Sequence, residues 1–85
     1  MCIRDRVVEP DEVLSTARAL ADKICANAPI AVRESLMLAR RAAELTEDEA
    51  WRLSGEARDR IVRTEDAAEG PRAFAEKRPA VWKGR

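Results

Sequence analysis

Thr64-Glu65-Asp66-Ala67-Ala68-Glu69-Gly70-Pro71-Arg72-Ala73-Phe74-Ala75-Glu76-Lys77-Arg78, followed by Pro79-Ala80-Val81-Trp82-Lys83-Gly84-Arg85, is the stretch whose reading decides the fold of this chain. Thr64 followed by two carboxylates reads as a helix cap, with negative charge beside the positive end of the helix dipole. Gly70-Pro71 then interrupts the pattern, because proline cannot donate to the preceding turn. Two short helical pieces or one kinked helix over residues 65–77 are expected, with Ala67, Ala68, Ala73 and Phe74 as apolar contacts. Beyond Arg78 the periodicity stops, so the tail is expected to run extended, with Val81 and Trp82 packing on whatever receives them.

Upstream, the spacing predicts three amphipathic helices. Glu9-Pro10-Asp11-Glu12 is a helix start, and Val13, Leu14, Ala17, Leu20, Ala21, Ile24, Cys25 and Ala28 fill one arc of the first helix. It ends at Asn27-Ala28-Pro29, since the residue before a proline is driven out of the helical region. Pro29 opens the second helix. Its expected inner face is Ala31, Val32, Ser35, Leu36, Leu38, Ala39, Ala42, Ala43 and Leu45, leaving Ile30 and Met37 exposed among the charges. Thr46-Glu47-Asp48-Glu49 matches the capping box and starts the third helix. There Ala50, Leu53, Ala57 and Ile61 form the inner stripe, widened by Trp51 and Val62. Asp48, Arg52, Glu56 and Arg60 stand four apart with alternating sign, a solvated ladder. Arg58 falls inside the apolar arc near Trp51, where snorkelling along the surface or a buried ion pair is expected. Val7-Val8 is too short for a strand of its own and would pair only with something outside the chain.

Composition narrows the function classes. The 85 residues allow one small domain, and a chain of this size buries only roughly 60–65% of its unfolded surface. One Phe and two Trp are the only large aromatics, and alanine is the largest single part of the 46% hydrophobic content, so a weak core and a partner surface are expected. Sixteen basic residues balance sixteen acidic ones, which removes the net field that draws proteins to nucleic acid or anionic lipid. No apolar run approaches the roughly 20 residues of a membrane span, and the amino terminus lacks the apolar core of a signal peptide, so a cytoplasmic setting is expected. With no His, the usual Ser or Cys triads cannot be built, and two cysteines without a Cys-x-x-Cys make neither a disulfide framework nor a zinc site. The cluster Glu65, Asp66 and Glu69 reads as helix-start charge rather than a metal or acid-base site.

The order of elements in residues 64–85, an acidic turn, Glu-Gly, Ala-Phe, Glu-Lys-Arg and a final Trp before Gly-Arg, closely resembles the carboxy-terminal signature of the crotonase superfamily, the enoyl-CoA hydratases and isomerases. Asn27-Ala28-Pro29-Ile30-Ala31-Val32 is similar to a junction of the same family, so the resemblance covers residues 7–85. Leu36 departs from it, where many relatives carry Lys, and Pro79-Ala80 is a less usual form of the segment before the aromatic. Residues 1–6, Met1-Cys2-Ile3-Arg4-Asp5-Arg6, stand outside the pattern and resemble a translated adapter, so they are read as a non-native leader, a genuine frayed terminus being the plainer alternative.

The resemblance implies the all-α, carboxy-terminal helical subdomain of a crotonase fold: three amphipathic helices and a short kinked fourth. It also implies a role in trimer packing, or in a dimer of trimers, and in closing over CoA. By the same resemblance the partners are an amino-terminal β/α core of the same polypeptide, further copies of the chain and an acyl-CoA. That core would hold the thioester oxygen between two amides and supply two catalytic Glu residues. No position of this chain is catalytic on that reading and no cofactor is needed, CoA thioester being the substrate. The residues placed near CoA are Phe74, as an apolar wall, and Lys77, facing the ribose 3′-phosphate; three residues apart, they are expected close together on one helical face. Phe74 as a core anchor and Lys77 as a helix-terminal cation are the plainer roles. From a different class, a free-standing helical adaptor that binds a protein through its alanine-rich faces fits the same pattern.

Overall fold

The computed structural model describes residues 6–85, so Met1–Asp5 of the expected leader lie outside the described residues. Among the described residues every regular element is helical, and Val7 is 93% exposed with no strand around it. A 3-10 turn, Pro10–Glu12, leads into α1, Val13–Cys25. Its end is closed by Asn27, whose side-chain amide donates to the carbonyls of Lys23 (3.1 Å) and Ile24 (3.0 Å). Ala28 is extended, as its proline neighbour requires, and Pro29 takes the first position of α2, Pro29–Arg41. A 3-10 turn, Ala42–Glu44, then reverses the chain.

The capping box at Thr46 is present in full. The Thr46 hydroxyl accepts from the Glu49 amide (3.3 Å), and the Thr46 amide donates to the Glu49 carboxylate (2.9 Å), opening α3, Glu47–Ile61. The Thr46 amide, together with the Thr46 hydroxyl donating to the same carboxylate oxygen (2.8 Å), holds the Glu49 carboxyl below its ordinary pKa. The helix packs back along α2, the most extensive helix–helix contact of the chain.

The stripe of α2 that receives α3 differs from the expected one. Ala31, Val32, Leu38 and Leu45 of the assigned inner face are half-buried, but so are Ile30 and Glu34, which were not assigned to it, while Ser35, Leu36 and Ala39, which were, are exposed. Helix α3 docks toward the edge of α2 where Glu34 can meet Arg60, and Ser35, Leu36 and Ala39 are left open. The Arg60 guanidinium grips Glu34 with two bonds of 3.0 and 2.8 Å, so Arg60 leaves the ladder, which keeps only Arg52–Glu56 at 2.6 Å among its pairs. Ile30 is thereby covered, whereas Met37 stays 38% exposed, as expected. Arg58 neither snorkels nor buries; its side chain is solvent-exposed and pairs with the adjacent Asp59 (3.1 Å).

Helix α4, Glu65–Ala75, passes through Gly70-Pro71 without a break. Pro71 forfeits one backbone bond, a loss of order 3 kcal/mol in an unsupported helix. The flanking ties outweigh it: the Thr64 hydroxyl caps the Ala67 amide (3.1 Å), and the tail is bound along the helix. The helix also stops two residues before the expected end, because the chain turns at Lys77.

The chain is not compact. Its accessible surface is 7316 Å² for 9.5 kDa, against about 5,000 Å² for a compact monomer of that mass. Its radius of gyration is 16.0 Å where about 12 Å is usual for 85 residues, and its extents are 42 × 39 × 20 Å. Among the described residues only Ala57, Ala73 and Asp66 are buried. The apolar arc of α1 faces solvent along its length, with Leu14 at 62% and Ile24 at 51% exposure.

Candidate functional site

Two arrangements converge on α4, one expected from the sequence and one not. The expected one is the pair at its carboxy end. The Lys77 ammonium lies 4.6 Å from the centroid of the Phe74 ring, a cation–π distance. Helical spacing is not what brings them together. Lys77 is past the helix, at φ +53°, the only non-glycine residue with positive φ among those described. The Arg78 amide reaches back to the Ala73 carbonyl (3.1 Å) and the Lys77 amide to Phe74 (3.2 Å), the two bonds of a Schellman turn. That turn usually takes glycine, so lysine there carries a local backbone cost. Phe74 is 76% exposed and anchors no core in this chain. The pair presents an aromatic face and a cation together on the surface, which suits an apolar group joined to an anion.

The second arrangement is a strap. After the Lys77 turn, residues 78–85 run back along α4, and the three carboxylates assigned to the helix start hold them. Glu69 takes the Arg78 guanidinium with two bonds, 2.6 and 3.1 Å, and the Val81 amide at 3.0 Å. Those contacts, the arginine foremost, pull the Glu69 carboxyl down to about 2. Asp66, 2% exposed, accepts the Lys83 amide on one oxygen (2.7 Å) and the Gly84 amide on the other (2.8 Å). Glu65 pairs with Lys83 (2.9 Å) and Arg85 (3.1 Å), which lowers its carboxyl pKa. The main-chain oxygen of Arg85 accepts the amides of Glu65 (2.8 Å) and Asp66 (3.4 Å), so the strap ends at the amino terminus of the helix it covers. Arg78 also meets Glu76, and the pairings raise its guanidinium further above its ordinary value.

The helix-start assignment of the acidic cluster is therefore half of its role. Glu65 and Asp66 do sit in the first turn of α4, but all three carboxylates are occupied by the tail. The cleft between α4 and the strap, lined in part by Asp66, Glu69, Arg72 and Lys83, has its acidic groups committed to these bonds. The signal for the strap was in the sequence as charge complementarity: acids at 65, 66 and 69 against bases at 78, 83 and 85. Trp82 completes it. Its indole N–H donates to the Ala26 carbonyl at the end of α1 (2.8 Å), and its ring lies over Gly70, where a β-carbon would sit 3.6 Å away.

No helix among those described is long and apolar enough to cross a membrane. The sequence profile of the family Enoyl-CoA hydratase/isomerase matches residues 1–85, and the chain belongs to that family. It is similar to the carnitinyl-CoA dehydratase of Proteus mirabilis (strain HI4320), at 45% identity over 87 residues covering 98% of this chain and 33% of the relative. With that of Salmonella typhi the identity is 40%, at the same coverage. Among solved structures, an enoyl-CoA hydratase/isomerase from Mycobacterium paratuberculosis superposes with a TM-score of 0.79 at 45% identity, over 92% of this chain and 31% of that one. An enoyl-CoA hydratase from Mycobacterium tuberculosis H37Rv does so at 0.83 and 32% identity, over 95% and 32%. The chain thus spans about a third of the length of the relatives it matches, and its all-helical fold is that of the matching third of a crotonase-type enzyme.

Proposed function

We propose that the chain serves as the carboxy-terminal helical part of a cytoplasmic enzyme acting on acyl-CoA thioesters, packing against a β/α core and neighbouring subunits and closing over CoA. The observation that carries this reading is the open apolar arc of α1 and α2. Leu14, Leu20, Ile24 and Leu36 are between 42% and 62% exposed, a continuous demand for a covering surface that the chain itself does not meet. Membership of the family supports a β/α core of the crotonase type as that surface, with further copies of the chain beside it.

Within this reading Phe74 forms an apolar wall for the acyl or pantetheine portion, and Lys77 meets the 3′-phosphate of CoA. The cation already sits beside the aromatic ring, and both are exposed for a ligand to reach. The ammonium acts as a point charge, stronger toward phosphate than toward the ring once a dianion is available. The reaction belongs to residues outside this chain. Similarity to carnitinyl-CoA dehydratases favours addition or removal of water at an acyl-CoA double bond.

Two measurements test the proposal. The purified 85-residue chain is expected to leave crotonyl-CoA absorbance unchanged, and turnover by it would overturn the assignment of catalysis to a separate core. In the full-length enzyme, Lys77→Ala should weaken CoA thioesters by roughly 1.5–3 kcal/mol, the range for a charged hydrogen bond, and dephospho-CoA thioesters much less. The turnover number should hold, because the contact is remote from the reacting carbons. Equal losses for both thioesters would reduce Lys77 to a helix-terminal cation.

A further inference from the structure

Helix α4 and the strap are bound to each other far more tightly than to the rest of the chain. Asp66 and Glu69 hold the Val81, Lys83 and Gly84 amides, Glu65 holds Lys83 and Arg85, and the Arg85 oxygen closes on the start of α4. By contrast, among the described residues α4 makes no broad packing face with α1, α2 or α3. Across Val62 and Arg63 the Thr64 amide and hydroxyl donate to the Ile61 carbonyl at the end of α3 (3.0 and 2.7 Å), a tie at the pivot itself. Among the described residues, the one hydrogen bond that joins residues 64–85 to the first two helices runs from the Trp82 indole N–H to the Ala26 carbonyl. That carbonyl belongs to the capping residue of α1, where carbonyls lack an intrahelical partner and an external donor is well received.

We infer that residues 64–85 move as one rigid body, hinged at Val62-Arg63, and that Trp82 is the latch that fixes its orientation on α1. Phe74 and Lys77 ride on this body, at the end of α4 away from its Thr64 cap. The latch therefore decides where the aromatic–cation pair stands relative to α1 and α2, whatever ligand that pair takes. The strap transmits this control without deforming, because its own bonds are made within the moving body and do not change when the latch opens.

The experiment uses the 85-residue chain with Cys2→Ser and Cys25→Ser, spin labels at Arg18→Cys on α1 and Ala75→Cys on α4, and Trp82→Phe as the probe. Phenylalanine keeps an aromatic ring at this position but removes the indole donor and the ring atoms nearest Gly70, a contact made within the moving body. Loss of one net hydrogen bond should shift the closed-to-open ratio by roughly three- to tenfold. The interlabel distance distribution, narrow with Trp82, should broaden in Trp82→Phe, while hydrogen exchange at Lys83 and Gly84 stays as slow as before. A distribution that remains narrow in Trp82→Phe would show that the orientation is set elsewhere. One already broad with Trp82 would show that there is no latch, and strap amides that lose protection together with it would show that residues 64–85 are not a rigid body.

Discussion

Asp66→Ala should release the strap while leaving α4 helical. The carboxylate is 2% exposed, and each of its oxygens accepts one main-chain amide, from Lys83 at 2.7 Å and from Gly84 at 2.8 Å. A hydrogen bond to a charged group contributes about 1.5–3 kcal/mol, so two would contribute about 3–6 kcal/mol if they were independent. They share one carboxylate and one short segment, and Lys83 is exposed enough for its amide to regain water, which places the loss near the lower bound. About 3 kcal/mol corresponds to roughly a 150-fold rise in the open fraction. Amide hydrogen exchange at Lys83 and Gly84 reads that factor directly, and Phe74 and Ala75 amides report whether the helix survives. Asp66→Asn, which keeps one acceptor and turns a donor toward the other amide, should fall between the two. Unchanged exchange at Gly84 in Asp66→Ala, with the helix intact, would refute the assignment of this carboxylate as the clasp.

Other outcomes follow from the same geometry. Gly70→Ala should stabilise the chain by about 0.5–1 kcal/mol, because the new methyl would sit in ordinary contact with the Trp82 ring and α4 loses a flexible interior residue; thermal melting reads the sign. Lys77→Gly should be more stable than Lys77→Ala by about 1 kcal/mol, since both lack the ammonium and only alanine resists φ +53°. Thr46→Ala should cost about 1 kcal/mol through the lost cap of α3, seen as a lower melting temperature. Acid should open the strap late. The folded Glu69 carboxyl lies near 2, below its unfolded range, so its contribution is fully present above that range and is lost as pH falls toward 2. Trp82 fluorescence in a Trp51→Phe background should therefore change little at pH 4 and substantially near pH 2.

The helices were legible because their signals are local. The Pro10 and Pro29 starts, the capping box at Thr46 and the Thr64 cap each involve residues within one turn, and each stands where the sequence places it. The α3 stripe of Ala50, Leu53, Ala57 and Ile61 is covered as expected, but the faces that α1 and α2 bury were legible only in part. Hydrophobic periodicity locates an apolar arc but not its occupant: the arc of α1 stays open, and on α2 Ser35, Leu36 and Ala39 stay open while Ile30 and Glu34, expected outside the inner face, are half-buried beside Leu38. Phe74 and Lys77 were expected close together and are, but through the Lys77 turn; a lysine at positive φ has no composition signal, since glycine is the residue that announces such turns. The strap was hidden because an acidic first turn already explains itself by the helix dipole. Only the matching bases at 78, 83 and 85 point further.

The two fastenings of the tail differ in the length of chain each must close. The Asp66 carboxylate reaches partners 17 and 18 residues away, whereas the Trp82 indole reaches across 56. Closure entropy grows with the logarithm of the span, by about 0.6 kcal/mol per doubling, so the longer loop costs about 1 kcal/mol more to close from the unfolded chain. Asp66 also fastens with two bonds and Trp82 with one. Chain statistics and bond number therefore act in the same direction: on warming, the indole should part from Ala26 before the strap leaves α4, an order that exchange at the indole N–H and at the Gly84 amide records in a single experiment.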